Sequence, residues 1–435
     1  MQFINSALPM PGGSHEDMLS TFYSRIVSSD FIRKVGETFV TRILLIGIGL
    51  ATSVVVARAL GPEGRGLFAV AATIGAVGVQ FGNLGLHASN TYYVARDRTT
   101  LPALVGNTIV VSFFFGGVGI LLSWIVLSLW PQLAPVHGLL LILSLIWIPL
   151  GLAYMLLQNL LIGIQHVGAY NKIELATKIL GVGLIGFIVL LNKVTVEKVF
   201  LAGLMALFIS FLWAFWYLLR EAHNFPKPSF ALFKENFRYG LKAYLAAFFA
   251  FLVLRLDLLI VKYILGSEQT GYYSVAVNMA EMIYMLPVTV GTILFPRLAA
   301  LTDIREKWFL AKRICLHLGI GMMLILVIAG FLAEPMVLLL YGKSFFPSVC
   351  PFLWLLPGIF ALGLETVVVQ FLNSLGFPIT VVGAWVLTCF VNIALNLMVI
   401  PTYGIVGASI VSSFSYSVVF LIVIWISQKA RIKYE

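Results

Sequence analysis

From residue 36 to residue 427 the chain is a succession of apolar runs, most of them longer than 20 residues, separated by short clusters of glycine, proline and charge. A helix rises 1.5 Å per residue, so about 20 apolar residues span the hydrocarbon core of a bilayer. No water is available there to bond the backbone, and a helix satisfies its own polar groups within one segment. Of the 435 residues, 60% are hydrophobic and 11% charged, against about a quarter charged in a soluble domain. An aqueous surface cannot be built from this composition, and the runs leave no room for a soluble catalytic domain. The fold class is an all-α polytopic membrane protein.

Charges and turn residues punctuate the runs into twelve helices, at 36–60, 66–94, 102–129, 138–163, 170–191, 196–219, 238–264, 270–296, 311–333, 347–375, 378–400 and 404–427. Breakers such as Gly61-Pro62-Glu63-Gly64 and Pro401-Thr402-Tyr403-Gly404 end helices. With the N-terminus inside, the inner segments hold 19 Lys and Arg and the outer segments 6, while Arg42, Lys178 and Arg255 fall within spans. Basic residues in short loops resist translocation, so both termini are expected on the cytoplasmic side. The formal net charge of +10 thus mainly records topology rather than affinity for nucleic acid. The polar tail, 1–35, lacks the apolar stretch of a secretory signal and stays in the compartment of synthesis, and Met18 is a second candidate start.

The longest connection, 223–237, divides the chain into six-helix bundles at 36–222 and 238–435. An internal repeat supports the division. Residues 60–71 align without a gap on residues 265–276, with identities at Leu60/Leu265, Gly61/Gly266, Glu63/Glu268, Gly66/Gly271, Val70/Val275 and Ala71/Ala276. Both copies join the first and second helix of their half on the outer face. The halves are then related by an axis along the membrane normal, and a site is expected between them.

Ionisable and amide groups inside a span are costly and mark cavities or partners. In the second helix Gln80, Asn83, His87 and Asn90 recur at helical spacing, which fits either a packing seam or a cavity lining. In the fifth, Glu174 and Lys178 are four apart and suit an intrahelical ion pair. Arg255 and Glu281 fall near the midplane on adjacent antiparallel helices, either as a structural ion pair or as one that opens on anion binding. Asp257 is close in depth on another face, and Arg255 and Lys262, seven apart, share a face as a basic track. Arg42 lies near the inner end of the first helix, where it can snorkel to lipid phosphates, and Arg58 at the outer end. Glu365 sits near the midplane of the tenth helix, and Asn392 and Asn396 of the eleventh read as packing residues. Cys315, Cys350 and Cys389 lack metal or disulfide spacing and read as packing residues. No P-loop or HExxH motif is present, so neither ATP hydrolysis nor zinc catalysis is indicated.

The stretch from Val54 to Phe68 resembles the first-loop signature of the polysaccharide biosynthesis (Wzx-type) flippases of the multidrug/oligosaccharidyl-lipid/polysaccharide exporter superfamily. Residues 255–273, 341–347 and 372–408 resemble the same family in order along the chain. The resemblance implies a MATE-like fold, two six-helix bundles around a central cationic cavity. It also implies alternating-access movement of a polyprenyl-diphosphate-linked oligosaccharide across a prokaryotic cytoplasmic membrane. The cavity cations would come from Arg42, Arg58, Lys178, Lys242 and Arg255, with Asp257 matching the family's aspartate of the seventh helix. Lipid II flippases usually have fourteen helices, so a peptidoglycan precursor is a poorer fit than another glycan.

The leading expectation is a non-enzymatic flippase in which Arg255 and Arg42 hold the diphosphate, the stripe on the second helix meets sugars, and the prenyl tail stays in lipid. Asp257, Glu281 and Glu365 are the candidates for gating or for coupling to an H+ or Na+ gradient, and no cofactor or nucleic acid is expected. A polysaccharide polymerase and chain-length proteins are candidate partners beside the membrane lipids. Two other readings are a cation-coupled multidrug antiporter, which needs a net acidic cavity, and a non-transporting scaffold for glycan assembly, which needs charge pairs without a continuous cavity.

Overall fold

A computed structural model describes residues 29–129, 134–376 and 378–434. The helices are α1 (Ser29–Asn83), α2 (Leu86–Arg96), α3 (Leu101–Leu129), α4 (Gly138–Gly163), α5 (Val167–Leu190) and α6 (Val196–Ala222). There follow α7 (Phe230–Val253), α8 (Leu256–Ala300), α9 (Ile304–Met336), α10 (Val349–Ser374) and α11 (Ile379–Tyr434). A π-helical turn, Val337–Tyr341, closes α9. Most of the expected tail lies outside the described residues, but α1 starts at Ser29, so 29–35 is helix. The expected linker also shortens, because α7 begins at Phe230, where the side chain of Ser229 accepts from the Leu232 amide.

Nine helical stretches among the described residues are long and apolar enough to cross a membrane. Three of them are not straight. Tyr273 Oη donates to Asp257 Oδ2 at 2.5 Å across a sequence separation of 16, which on an unbroken helix would be about 24 Å of rise. Arg65 Nη2 likewise reaches Ser53 Oγ at 3.4 Å, 12 residues back, and Asn392 Nδ2 reaches Ser415 Oγ at 3.0 Å, 23 residues on. Each stretch therefore folds back on itself as two antiparallel arms.

The reversals sit at Gly61 (φ 67°, ψ −179°), Gly266 (φ 86°, ψ −178°) and Gly404 (φ 59°, ψ −147°). A side chain at these dihedrals would collide with its own backbone, so glycine is required. Gly61 and Gly266 are equivalent in the repeat and share their conformation to within about 20°. The arms are α1a (29–60) and α1b (62–83), α8a (256–265) and α8b (267–300), and α11a (379–403) and α11b (405–434).

The repeat also explains how the halves meet. A Cβ on Gly66 would lie 1.8 Å from Ser267 O, and one on Gly271 would lie 1.9 Å from Pro62 O. Gly66 is equivalent to Gly271 and Pro62 to Ser267, so the contact is reciprocal, as a two-fold relation between halves demands. Backbone touches backbone, and the first turns of α1b and α8b lie against each other at one end of the molecule.

At the other end the halves meet differently. α1b stops at Asn83 and α2 resumes at Leu86, because Leu84 (φ 49°) and Gly85 (φ 80°) both take positive φ. A Cβ on Gly85 would lie 2.5 Å from Gly240 O, and one on Gly240 2.5 Å from Gly85 O. The break frees the carbonyls of Gln80 and Phe81, and Tyr244 Oη on α7 lies 3.1 and 3.0 Å from them as donor. Asn107 Nδ2 donates to Ser229 O at 2.9 Å and its Oδ1 accepts from Ser229 N at 2.7 Å. Tyr92 stacks on Tyr239 with centroids 4.5 Å apart.

Gly66→Ala is expected to lower the apparent Tm of the detergent-purified protein strongly, since the added carbon meets a carbonyl that cannot move alone; overpacking of this kind costs about 1–3 kcal/mol or more. Gly47→Ala, where a Cβ meets nothing within 4 Å, is expected to leave the Tm within a degree or two. Equal melting of the two variants would contradict the described contact.

Candidate functional site

The spans carry charges, and the structure joins four of them in two ion pairs. Arg255 Nη2 lies 3.0 Å from Glu281 Oε1 and 3.2 Å from Oε2, with both side chains part-buried. Arg255 (φ −130°, ψ −28°) follows Leu254 in the two-residue break between α7 and α8. Counting from Gly266 at 1.5 Å per residue puts Arg255 about 16 Å and Glu281 about 22 Å from the turn, both near the midplane. The expected basic track to Lys262 does not form: the helix is interrupted at Arg255 itself, and Lys262 Nζ instead donates to Ser267 Oγ at 2.6 Å.

Asp257 opens α8a and is buried. Its Oδ2 accepts from Tyr273 Oη at 2.5 Å on α8b and from Ser412 Oγ at 3.0 Å on α11b, and its Oδ1 from the Leu258 amide at 2.7 Å. Every direct donor to this carboxylate is neutral. Glu365 on α10 is 4% exposed and makes no hydrogen bond or ion pair among the described residues; the neighbouring Thr366 Oγ1 lies 3.0 Å from Tyr284 Oη. Asn396 Nδ2 donates to Asn392 Oδ1 at 3.0 Å, and Asn392 in turn to Ser415, so this pair packs α11a on α11b as its spacing suggested.

Several expectations change. Glu174 does not pair with Lys178. Arg42 Nη1 reaches it at 3.2 Å from α1a, while Arg42 Nη2 donates to Tyr170 Oη at 3.1 Å. The guanidinium fork spans Glu174 and Tyr170, one turn apart on α5, with separate nitrogens. Arg42 is accordingly engaged by α5 rather than snorkelling, and Lys178 is left exposed. Arg58 Nε and Nη2 donate at 2.7 and 2.5 Å to the carbonyls of Leu340 and Leu339, which the π-turn leaves at the end of α9. It ties the halves together instead of lining a cavity. The side chain of Lys242 lies outside the described residues.

The stripe on the second helix is not one face. The break at Leu84-Gly85 divides it, and Asn83 Oδ1 accepts from the His87 amide at 3.2 Å, capping the resumed helix. Asn90 Nδ2 donates to Thr108 Oγ1 at 3.3 Å and its Oδ1 accepts from Asn236 Nδ2 at 3.0 Å on α7, so it belongs to the contact between halves. Gln80 contributes its carbonyl to Tyr244. Of the cysteines only Cys389 is buried; Cys350 is exposed.

Residues not singled out from sequence are as important. Arg65, expected in a loop, is 4% exposed. Asn107, Asn236, Tyr239 and Tyr244 close the second end contact. The repeat alignment held the signal for Arg65, because its equivalent is the uncharged Thr270.

A family model described as polysaccharide biosynthesis protein matches residues 55–350, from the end of α1a to the start of α10. The chain belongs to this polysaccharide biosynthesis family. Among curated relatives, the probable flippase AglR of Haloferax volcanii is 30% identical over 168 residues, 37% of this chain and 35% of its own. The probable low-salt glycan biosynthesis flippase Agl15 of the same organism is 20% identical over 263 residues, covering 60% of this chain and 55% of that one. The chain thus spans between about a third and about half of the length of these relatives. Among solved structures, the lipid II flippase MurJ in an inward closed conformation superposes with a TM-score of 0.69 at 15% identity, over 93% of this chain and 90% of that one. A point mutant of the MATE transporter VcmN of Vibrio cholerae gives 0.64 at 14% identity, over 92% and 96%. These likenesses establish that the chain shares the fold of the MATE transporters and MurJ, as the resemblance implied.

Glu281→Gln is expected to destabilise the protein by about 2 kcal/mol, less than the 3–5 of a fully buried pair because both side chains are part-exposed. Arg255→Gln combined with Glu281→Gln is expected to recover most of that loss. A double-mutant cycle on thermal unfolding checks the coupling, and additive losses would show that the two groups do not interact.

Proposed function

We propose that this protein is a flippase for a polyprenyl-diphosphate-linked oligosaccharide, with twelve membrane crossings and both termini in the cytoplasm of a prokaryotic cell. The reading rests above all on one observation: the halves meet through separate small-residue contacts at their two ends, and each half carries an ion pair within its spans, Arg42 with Glu174 and Arg255 with Glu281. Opening one contact while the other stays shut is the motion alternating access requires. In this reading the Gly66–Gly271 contact is the outer closure and the Gly85–Gly240 contact the inner one.

Arg255 is the first diphosphate ligand. It sits at a helix interruption near the midplane, and its counter-ion Glu281 is replaceable by phosphate oxygens, which accept a guanidinium fork as a carboxylate does. Arg42, bound to Glu174 and Tyr170, meets the headgroup nearer the cytoplasmic end, and the prenyl tail stays in lipid. The protein is a carrier and not an enzyme. Its partners are the lipid-linked glycan and, downstream, a polymerase and chain-length proteins of surface-glycan assembly.

One observation favours a second reading. Asp257 and Glu365 are buried carboxylates without an ion-pair cation among the described residues, which suits uptake of H+ or Na+. Such a site serves a cation-coupled antiporter of organic cations, or drives the flippase cycle itself.

Reconstituted vesicles carrying a fluorescent polyprenyl-diphosphate disaccharide separate these readings. Protein-dependent movement of the label between leaflets is expected, reduced at least tenfold by Arg255→Ala, the loss of one or two charge-assisted bonds of about 1.5–3 kcal/mol. Uptake of an organic cation with no movement of the glycolipid would establish the antiporter, and movement of neither would leave a scaffold.

A further inference from the structure

Arg65, on the first turn of α1b, is the most deeply buried cation among the described side chains, at 4% exposure. Its Nε donates to Ser274 Oγ at 3.2 Å and its Nη2 to Ser53 Oγ at 3.4 Å, and its Cζ lies 5.8 Å from the ring centre of Phe68. Ser53 Oγ is also 3.2 Å from Tyr341 Oη. The guanidinium is therefore enclosed by α1a, by α8b of the other half and by the turn that ends α9. The ion pairs of the described residues, Arg42 with Glu174 and Arg255 with Glu281, and the contact of His166 with Glu221 do not include it.

Two neutral hydroxyls and one aromatic face are a poor exchange for the water around a permanent charge with five N–H donors. The turn itself does not need the charge. At the equivalent position of the other half Thr270 returns its hydroxyl to Gly266 O at 2.7 Å, and the same glycine conformation is achieved. The surroundings of Arg65 also come from both halves, so the burial lasts only while Gly66 and Gly271 are in contact. Once those first turns separate, Ser274 and Tyr341 leave, and the guanidinium faces the gap with only Ser53 of its own half still beside it.

We propose that Arg65 is the anion site of this gate: uncompensated while the gate is shut, and bound by a diphosphate when it opens. Its buried charge raises the free energy of the shut state, and an anionic headgroup arriving from between the halves stabilises the open one. The diphosphate as ligand rests on the flippase reading above; the bias on the gate does not. A structural latch makes the opposite prediction, because removing the hydrogen bonds to Ser53 and Ser274 would then loosen the contact.

Hydrogen–deuterium exchange of the protein in nanodiscs reads the difference in amides 63–74 and 267–276. Arg65→Met, close in length but neutral, is expected to slow exchange in both segments about tenfold by favouring the shut gate, and Arg65→Lys to exchange as the wild type does. Inorganic pyrophosphate, and separately a polyprenyl diphosphate doped into the disc, are expected to speed exchange in wild type and Arg65→Lys but not in Arg65→Met. Acceleration by the doped lipid alone would place the anion's approach within the membrane, whereas acceleration by both makes the site open to water as well. Faster exchange in Arg65→Met overturns the bias and makes Arg65 a latch. No response of the wild type to either diphosphate overturns the anion site, even if glycolipid movement is normal and even if Arg65→Met fails to fold.

Discussion

Everything else in this structure depends on the approach of two backbones at Gly66 and Gly271. A carbonyl lies where the Cβ of either residue would be, so the distance between the halves at that end is fixed by the absence of two methyl groups. The contact is reciprocal, and around it α1 and α8 join one apolar core that runs across both halves, including Val70 and Ala71 of α1b and Val275 and Ala276 of α8b. The two glycines fix one register for that packing when the halves are shut. The arms that reverse at Gly61 and Gly266 bring those glycines together, which is why the repeat keeps both the reversal and the contact.

The second closure has no such symmetry. Gly85 and Gly240 are not equivalent in the repeat, and neither is the break at Leu84 matched in α8b, which runs helical from 267 to 300 apart from its prolines. Helix α7 is interrupted in its turn at Arg255. At this end the carbonyls of Gln80 and Phe81 accept from Tyr244, Asn107 bonds both backbone groups of Ser229 at the start of α7, and Asn90 joins the side chains of Thr108 and Asn236. A helix that is already interrupted bends at little further cost in hydrogen bonds, so in the proposed cycle this end opens by bending where the other opens by separation.

The spans themselves were legible from sequence because continuous apolar runs and breaker clusters obey bilayer thickness and little else. The run read at 138–163 is α4 as observed, Gly138–Gly163, and the run read at 102–129 begins one residue earlier at Leu101. Pairing between distant helices was less legible. The i,i+4 rule assigned Glu174 to Lys178 because it sees only one helix, whereas Arg42 lies 132 residues away in sequence. The polar stripe failed for a related reason: Leu84 at φ 49° is a conformation that no helical periodicity anticipates. Arg255 with Glu281 succeeded because the turn between them fixed both depths. Arg65 was misplaced because its neighbourhood, Gly-Pro-Glu-Gly, reads as a loop, and only the helix starting directly after Gly61 carries it inside.

The central claim is that the two ends close alternately around a charged path. Spin labels at exposed positions flanking each end, Glu63 with Lys343 and Arg96 with Lys234, measure both gaps by pulsed dipolar spectroscopy in nanodiscs. With a polyprenyl-diphosphate oligosaccharide added, the account predicts that one pair lengthens while the other keeps or shortens its distance, and that no population has both pairs long. A substrate that leaves both distributions unchanged, or that lengthens both together, would contradict it.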